Sequence, residues 1–495
     1  MRRFFPGSSG IAPLPCNLTR RPQSADMRVP FKTRVIGAVS AVILGFAQPQ
    51  AASAETLADA LVSAYENSGL LEQNRALLRA ADESVAQIVA ELRPIINWSA
   101  DITRTFGTTR TGGVMRGSDS NDLNLGISLD LLLFDFGRTN LRLQAAKETV
   151  LATRESLRNI EQQVLLRAVA AFMNVRRTGE LVSVRQNNLR LLRQELRAAN
   201  DRFEVGEVTR TDVALAEARL ASAQSGLATA QGDLTQAVEE YRSAVGRAPG
   251  QLRAPRQLPN LSGNIDTAKS IAVRNHPDMR KAQYDVSSAE LTVAAAEAAM
   301  KPSVSLTTRL GSGEEIDGTD YTRSGSIGVT VSGPIYQGGL LSSARRQAMA
   351  QADSLRGQLH VTQKQVVADV GNAYAILRAA QASRQAGQEQ VRAARVAFRG
   401  VREEAKLGAR TTLDVLDAEQ ELLDAQAGLI SAETDLYIAA YQVLETIGEL
   451  TAKDLRLNVQ TYDPEAYYNL VKDAPVPISP QGQKLERVLR AIGKE

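Results

Sequence analysis

Side chains that could bind a metal or act as nucleophiles are scarce in this sequence. Its 495 residues include 2 histidines, His276 and His360, and 1 cysteine, Cys16. A zinc site, an iron–sulfur cluster and a disulfide framework all need more such ligands, so these are excluded. The sequence also contains no G-x-x-x-x-G-K-[ST] phosphate loop and no recognisable catalytic triad. We therefore predict no enzyme activity, no cofactor and no metal.

The composition favours long helices over a compact enzyme fold. Apolar residues make up 43% of the chain, which is enough for a core, whereas aromatic residues make up 4%. Ala, Leu, Gln, Arg and Glu are abundant, and these residues are good helix formers. The length allows roughly two to four ordinary domains.

Residues 1–54 have the features of a secretory signal peptide. Arg28, Lys32 and Arg34 precede a 12-residue apolar stretch at 35–46, and Ala-Ser-Ala at 52–54 fits a cleavage site. Twelve residues are too few to span a bilayer as a helix, so the alternatives are a signal peptide, which we favour, and a buried helix. Met27 is a second candidate for the start. Cys16 lacks the preceding apolar run of a lipid-attachment site.

The charge of the remaining chain argues against nucleic-acid binding. The whole sequence has a net charge of +3, but residues 55–495 contain 51 basic and 54 acidic residues, a net charge of −3. A nucleic-acid partner would require a basic surface. We therefore expect an exported protein with no nucleic-acid partner.

Residues 55–450 contain an internal duplication. Segment 202–213 matches segment 404–415 at an offset of 202, and a heptad ladder of alternating Ala and Leu follows each copy. Steps of four and three residues keep a ladder on one helix face, and strict sevens impose supercoiling. Seven ladder positions are identical in the two copies: Ala216, Leu220, Ala223, Leu227, Ala230, Leu234 and Ala237, and Ala418, Leu422, Ala425, Leu429, Ala432, Leu436 and Ala439.

A long helical run precedes each ladder. The first extends from about residue 138 to 203 without a proline, which corresponds to on the order of 100 Å of helix. The four predicted long helices are 138–203 and 208–247 in a first repeat (55–262), and 339–404 and 411–449 in a second (263–450). Rods of this length suit a protein that reaches across a wide compartment.

Each repeat also contains two segments that alternate between apolar and polar residues. The predicted strands are about 94–106 and 122–134 in the first repeat, and about 302–311 and 321–333 in the second. One short helix is expected before each pair, and glycine-rich surface loops are expected at 107–122 and 311–325. A signal peptide and a polar second face, with Asp130 and Arg309, favour a transmembrane barrel whose apolar face contacts lipid.

Four strands cannot close a membrane barrel, because known barrels need at least about eight. Unpaired strand edges are not tolerated in lipid. We therefore expect several copies of the chain to contribute strands to one barrel, and the same assembly to gather the long helices into a tube. Residues 451–495 are expected to form a partly flexible tail, with a linker at 474–480 and a short helix at 484–492.

The duplicated motifs resemble those of the TolC family of outer-membrane efflux and secretion proteins. Residues 408–418 (GARTTLDVLDA) follow the family segment G-x-R-T-x-x-D-V-L-D-A, and residues 205–206 and 211–213 resemble its first-repeat equivalent. Pro94 and Pro302 stand at the start of a strand, as in the family. Residues 134–137 and 334–339 resemble its junctions between strand and helix.

The resemblance implies a fold, a location and partners. The fold would be a homotrimer with a twelve-stranded barrel in the outer membrane of a Gram-negative bacterium, continuing into a coiled-coil helical tube through the periplasm. The partners would be outer-membrane lipid, a periplasmic adaptor protein, and an inner-membrane ABC or other transporter that supplies the energy. The chain itself would conduct substrate passively.

The resemblance also implies a gate. Asp414 and Asp417 match the two aspartates that form the family's tightest ring; three copies would bring six carboxylates together, and we expect coupled titration with some pKa values raised. Arg410 matches the family's latch arginine, and Thr211 and Asp212 match its acceptors. This chain departs from the family at Ala405, where the family's latch helix can have a tyrosine that forms a second link.

The turns that connect the long helices complete the set of candidate sites. In the family these tips contact the adaptor, which here implies Val205, Gly206, Leu407 and Gly408. Residues 462–468 (YDPEAYY) resemble the tail of members that serve type I protein secretion, so this cargo is our first prediction. Multidrug or small-molecule efflux through the same duct is the alternative. A periplasmic coiled-coil scaffold or a trimeric adhesin is an alternative of another class.

Overall fold

A computed structural model describes residues 55–261 and 263–491. The predicted signal peptide, with Cys16 and Met27, lies outside these residues. Within them, no helix is both long enough and apolar enough to cross a membrane. The described elements are, in order, α1 (Leu57–Asn67), α2 (Gly69–Glu91), β1 (Ile95–Thr111), β2 (Val114–Phe134), α3 (Arg138–Glu204), α4 (Arg210–Val245), α5 (Ile265–Asn275), α6 (Pro277–Ala298), β3 (Ser303–Glu315), β4 (Tyr321–Ser332), α7 (Leu340–Lys406), α8 (Thr412–Ile447), α9 (Pro464–Val471) and α10 (Pro480–Ala491).

The order of elements is the same in the two halves. Helices α3 and α7 have 67 residues each, and α4 and α8 have 36 each. At 1.5 Å per residue, α3 and α7 are each about 100 Å long. The ends of the long helices lie within 2 residues of the bounds that the sequence predicts.

Two helices precede the strands in each half, where the sequence indicates one. Ser68 separates α1 from α2 because its hydroxyl caps the second helix, accepting a hydrogen bond from the backbone N–H of Leu71 at 3.3 Å. Pro277 separates α5 from α6 because proline has no N–H for the preceding helix and suits the first position of a new one. Both breaks follow from local capping chemistry.

The heptad ladders face the partner helix of each hairpin. Ala223 of α4 packs with Leu189 and Leu192 of α3, and Ala425 of α8 packs with Val391 of α7. Small alanine side chains let the two helices of each pair approach closely, while the leucines fill the space between them. Helices α4 and α8 therefore stabilise only the part of α3 and α7 that their 36 residues reach, and the remainder of α3 and α7 packs against the short helices.

The four strands form one antiparallel sheet in the order β1-β2-β3-β4. Its register aligns the apolar positions of all four strands: Trp98 lies opposite Ile127, Ile127 opposite Leu310, and Leu306 opposite Val329. Because side chains alternate between the faces of a sheet, these residues share one face. The polar residues Asn124, Ser128 and Arg309 occupy the other face, along a groove of about 970 Å³.

Strands β1, β2 and β3 are longer than predicted, whereas β4 ends within one residue of its predicted bounds. The predicted loops at 107–122 and 311–325 are wrong. Strands β1 and β2 continue to a tight turn at Gly112 and Gly113, whose φ values are 61° and 87°. Only residues 316–320 separate β3 from β4. Apart from Val114 and Met115 beside the turn, the extensions are polar on both faces, so they lack the alternation that reveals a strand. Backbone pairing with the neighbouring strand stabilises them instead, and Asp119 of the β2 extension also forms a diagonal ion pair at 2.9 Å with Arg104 of β1.

The main core lies where the short helices pack against the long ones. Phe172, Tyr241 and Ile447 are among its largest fully buried side chains. The tail packs on this body: Tyr467 and Val471 of α9 are buried. Residues 474–480, the predicted linker, connect α9 to α10, and Arg93 donates a hydrogen bond to the carbonyl of Ala474 at 2.7 Å.

Candidate functional site at the helix tips

Two exposed turns connect the long helices, at residues 205–209 and 407–411, and we call them the tip turns. Val205 is 71% exposed and Leu407 is 85% exposed. The next residues, Gly206 and Gly408, have φ values of 79° and 77°. Glycine adopts this left-handed conformation without a steric penalty, so it can end one helix and reverse the chain. The tip turns therefore present an apolar side chain beside a tight reversal of the chain, and adaptor contact there stays a prediction.

The two helices that follow the tip turns begin with capping boxes. The backbone N–H of Asp212 donates to the hydroxyl of Thr209 at 3.3 Å, and the backbone N–H of Thr209 donates to the Asp212 carboxylate at 2.9 Å. Thr411 and Asp414 repeat this arrangement with distances of 3.2 Å and 2.9 Å. Hydrogen bonds from each threonine lower the pKa of its aspartate partner. Asp212 and Asp414 thus stabilise the first turns of α4 and α8, in addition to any role at a gate.

The predicted latch does not form within one chain. Arg410 donates from Nε to Oε2 of Glu404 at 2.9 Å, a residue of its own hairpin. Thr211 and Asp212 belong to the other hairpin, and Asp212 is engaged with Thr209. A link from Arg410 to these residues of a neighbouring copy stays a prediction.

Asp417 lies one helical turn beyond Asp414 and has a different partner. Its Oδ1 accepts from Nη2 of Arg219 on α4 at 2.7 Å, with both side chains partly exposed. The predicted coupled titration concerns three copies around one axis and stays a prediction. In the single chain the pKa of Asp414 shifts the opposite way, downwards, because Thr411 donates hydrogen bonds to the carboxylate.

Sequence reasoning missed a buried carboxyl group, Glu419, near this site. It is 3% exposed, and its Oε1 accepts from Asn188 of α3 at 2.9 Å. Burial, aided by the negative charge of Glu195, raises the pKa of Glu419 to about 7. Glu195 itself pairs with Arg402 of α7 at 3.2 Å. A signal was available, because Glu419 lies at helical spacing from two leucines on the buried face of α8.

Comparison with known proteins covers most of the chain. The family model described as outer membrane efflux protein matches residues 60–247 and 269–449. The outer membrane efflux protein BepC of Brucella suis is 39% identical over 429 residues, 86% of this chain and 92% of that protein. The alkaline protease secretion protein AprF of Pseudomonas aeruginosa is 27% identical over 395 residues, 78% of this chain and 80% of that protein.

The fold is shared with a solved outer-membrane channel. The crystal structure of the Campylobacter jejuni CmeC channel matches with a TM-score of 0.71 and 17% identity, covering 84% of this chain and 89% of that one. At this identity the structural likeness shows the fold alone. The match to the family model and the similarity to BepC are matches of sequence, and they show the family. TolC proteins are also among the relatives, so the resemblance found in the sequence is confirmed. The chain belongs to the outer membrane efflux protein family, the TolC family, and is an outer-membrane protein of a family of channels, not of enzymes.

Proposed function

We propose that three copies of this chain form one exit duct through the outer membrane and the periplasm. The observation that carries the proposal is the uncovered apolar face of the four-stranded sheet. Trp98 is 81% exposed, Ile327 is 76% exposed and Val331 is 67% exposed. Side chains of this size are normally buried, and a contiguous exposed patch marks contact with a partner or with lipid.

The edges of the sheet support the sharing of strands between copies. Among the described residues, β1 pairs only with β2, and β4 pairs only with β3. An unpaired edge in lipid leaves backbone groups without hydrogen bonds, and each such group costs several kcal/mol. Pairing β4 of one copy with β1 of the next removes all edges, and three copies give twelve strands with the polar groove facing inward.

The long helices continue the duct on the periplasmic side. Helices α3, α4, α7 and α8 of each copy supply a twelve-helix tube that ends at the tip turns. There we place a constriction ring of Asp414 and Asp417, a latch from Arg410, and the contact with a periplasmic adaptor. An inner-membrane transporter supplies the energy, and the duct is passive. Membership of a channel family argues against the scaffold and adhesin alternatives.

Two cargo classes follow from the relatives. We propose type I protein secretion first, supported by the relative AprF, named for alkaline protease secretion, and by the tail residues 462–468. Efflux of small molecules is the second candidate, and the more similar relative BepC, named an efflux protein, favours it. The tail is a weak discriminator, because Tyr462 and Tyr467 pack on α1 and α2 through hydrogen bonds with Tyr65 and Glu83.

The duct is tested with purified, detergent-extracted protein. Light scattering after gel filtration should give the mass of three chains, and planar-bilayer recordings should show discrete conducting steps. A lone monomer that stays in solution without detergent would refute the duct. The cargo is tested by deleting the gene: loss of secreted proteins with unchanged drug susceptibility supports secretion, and the reverse result supports efflux.

A further inference from the structure

One ion pair joins the helices that follow the two tip turns. Nη2 of Arg219 on α4 lies 2.7 Å from Oδ1 of Asp417 on α8. Among the described residues, this is the one ion pair between α4 and α8. It therefore ties the carboxylate proposed for the constriction to the other hairpin of the same chain.

Apolar packing fixes the position of this pair. Leu416, the residue before Asp417, is 2% exposed and packs among Ala223, Leu220 and Leu227 of α4. Arg219 directly precedes Leu220, so the contact that buries Leu416 also places the guanidinium beside the carboxylate. The helix packing thus brings the two side chains together, and both remain partly exposed to solvent.

The two repeats differ in charge at these positions. At the offset of 202, Arg219 corresponds to Glu421, and Asp417 corresponds to Leu215. The first repeat therefore contributes a cation, whereas the second contributes carboxylates. Other charged groups near the pair are Arg185 and Glu419, which line the same groove of about 270 Å³ between α3, α4 and α8.

We propose that Arg219 determines the ion selectivity of the resting constriction by neutralising Asp417. The carboxylate of Asp414 accepts hydrogen bonds from the uncharged Thr411, and the nearby cation Arg410 donates its hydrogen bond to Glu404 instead. Asp414 is then the group whose negative charge acts on passing ions. This assignment rests on the proposed duct. Because Arg219 neutralises Asp417 in each of the three copies, the ring of six carboxylates keeps about half of the negative charge that its aspartates alone would give it.

The test measures the reversal potential of single channels of the full-length protein across a KCl gradient at low ionic strength, where charges are screened least. Arg219→Gln should raise the ratio of K⁺ to Cl⁻ permeability about threefold or more, because three carboxylates lose their partners. Asp417→Asn should lower the ratio, because three guanidinium groups are left unpaired. The double variant should return close to the wild-type ratio, since both charges are removed.

Control variants separate charge from folding. Arg219→Lys keeps the charge and should keep the wild-type ratio. Arg242→Gln breaks a different ion pair on α4, with Glu239 at 2.6 Å, and should also leave the ratio unchanged. Light scattering of each variant checks that its assembly equals that of the wild type.

Two outcomes distinguish failure of this assignment from failure of the duct. A conducting wild-type channel whose selectivity does not change in Arg219→Gln, while Asp417→Asn reduces it, overturns the role of Arg219 and leaves the duct standing. A wild-type preparation that forms no conducting pore overturns the duct and, with it, this assignment.

Discussion

Replacing the buried Glu419 with glutamine should stabilise the protein, and only above mildly acidic pH. Oε1 of Glu419 accepts from Asn188 at 2.9 Å, but Oε2 has no hydrogen-bond partner in the structure. Glutamine preserves the acceptor for Asn188 and has almost the same shape. The variant therefore removes a buried ionisable group without leaving a cavity.

The magnitude follows from the pKa of Glu419, which rises from 4.5 to about 7 on folding, chiefly because the carboxyl is buried. Below pH 4.5 both states are protonated, so the group has no effect on the free energy of unfolding. Between these values the unfolded chain loses its proton first, and the stability falls as the pH rises. Above pH 7 the destabilisation is constant, at an upper value of about 3 kcal/mol per chain.

The assay is denaturant unfolding of the detergent-solubilised protein, followed by circular dichroism at a series of pH values from about 4 to 8. The Glu419→Gln variant should match the wild type at the acidic end and should be more stable at the upper end. Glu421→Gln, an exposed glutamate on the same helix, is the matched control and should have little effect. Equal stabilisation at every pH would refute the reasoning, because it would indicate improved packing and not removal of a buried charge.

Three further predictions concern the gate and the sheet. Arg410→Ala should raise single-channel conductance in planar bilayers, because a latch worth at most about 1 kcal/mol per copy is removed three times; unchanged conductance places the latch elsewhere. Combining Asp414→Ala with Asp417→Ala should abolish cation preference in reversal-potential measurements, and a preference that persists contradicts the ring. Ile127→Lys puts a charge on the apolar face and should reduce the amount of assembled protein in outer-membrane fractions, at a cost of about 2 kcal/mol or more per strand. Asn124→Lys, on the polar face of the same strand, should assemble normally, and equal loss in both variants contradicts the assignment of the faces.

The helices could be predicted from the sequence because their pattern is redundant. The ladders from Ala216 and Ala418 repeat seven identical residues at one offset, and this agreement fixes both the helices and their pairing within a hairpin. The tip glycines, Gly206 and Gly408, then mark where each hairpin reverses. The local sequence pattern and the packing of the hairpins indicate the same helix ends, so tertiary contacts do not change the helices that the sequence predicts.

The strand ends could not be predicted in the same way. An alternating pattern appears only where one face is apolar, and the outer parts of β1 and β2 lack that contrast. Those parts are stabilised by backbone hydrogen bonds between the strands and by ion pairs such as that of Arg104 with Asp119. Which residues face each other across a hairpin depends on the register of its two strands. The turn at Gly112 and Gly113 sets that register.

The candidate site residues were found as a motif, but their contacts within the chain were not predicted. Thr411 caps α8 by accepting a hydrogen bond from the backbone N–H of Asp414. The two residues are three positions apart, so this contact can be predicted from the local sequence. Arg219 and Asp417 are 198 residues apart, and their meeting depends on α4 packing beside α8. The same limit applies to Glu419, whose partner Asn188 is 231 residues away.

The matched helix lengths restrict how this architecture can grow or shrink. One extra residue in α3 would rotate everything beyond it by about 100° and turn the ladder away from α4. A change of seven residues keeps each ladder aligned, and it must occur in all four long helices for the two hairpins to end level. Variants of this protein adapted to a wider or narrower gap between membranes should therefore differ in reach by steps of about 10 Å.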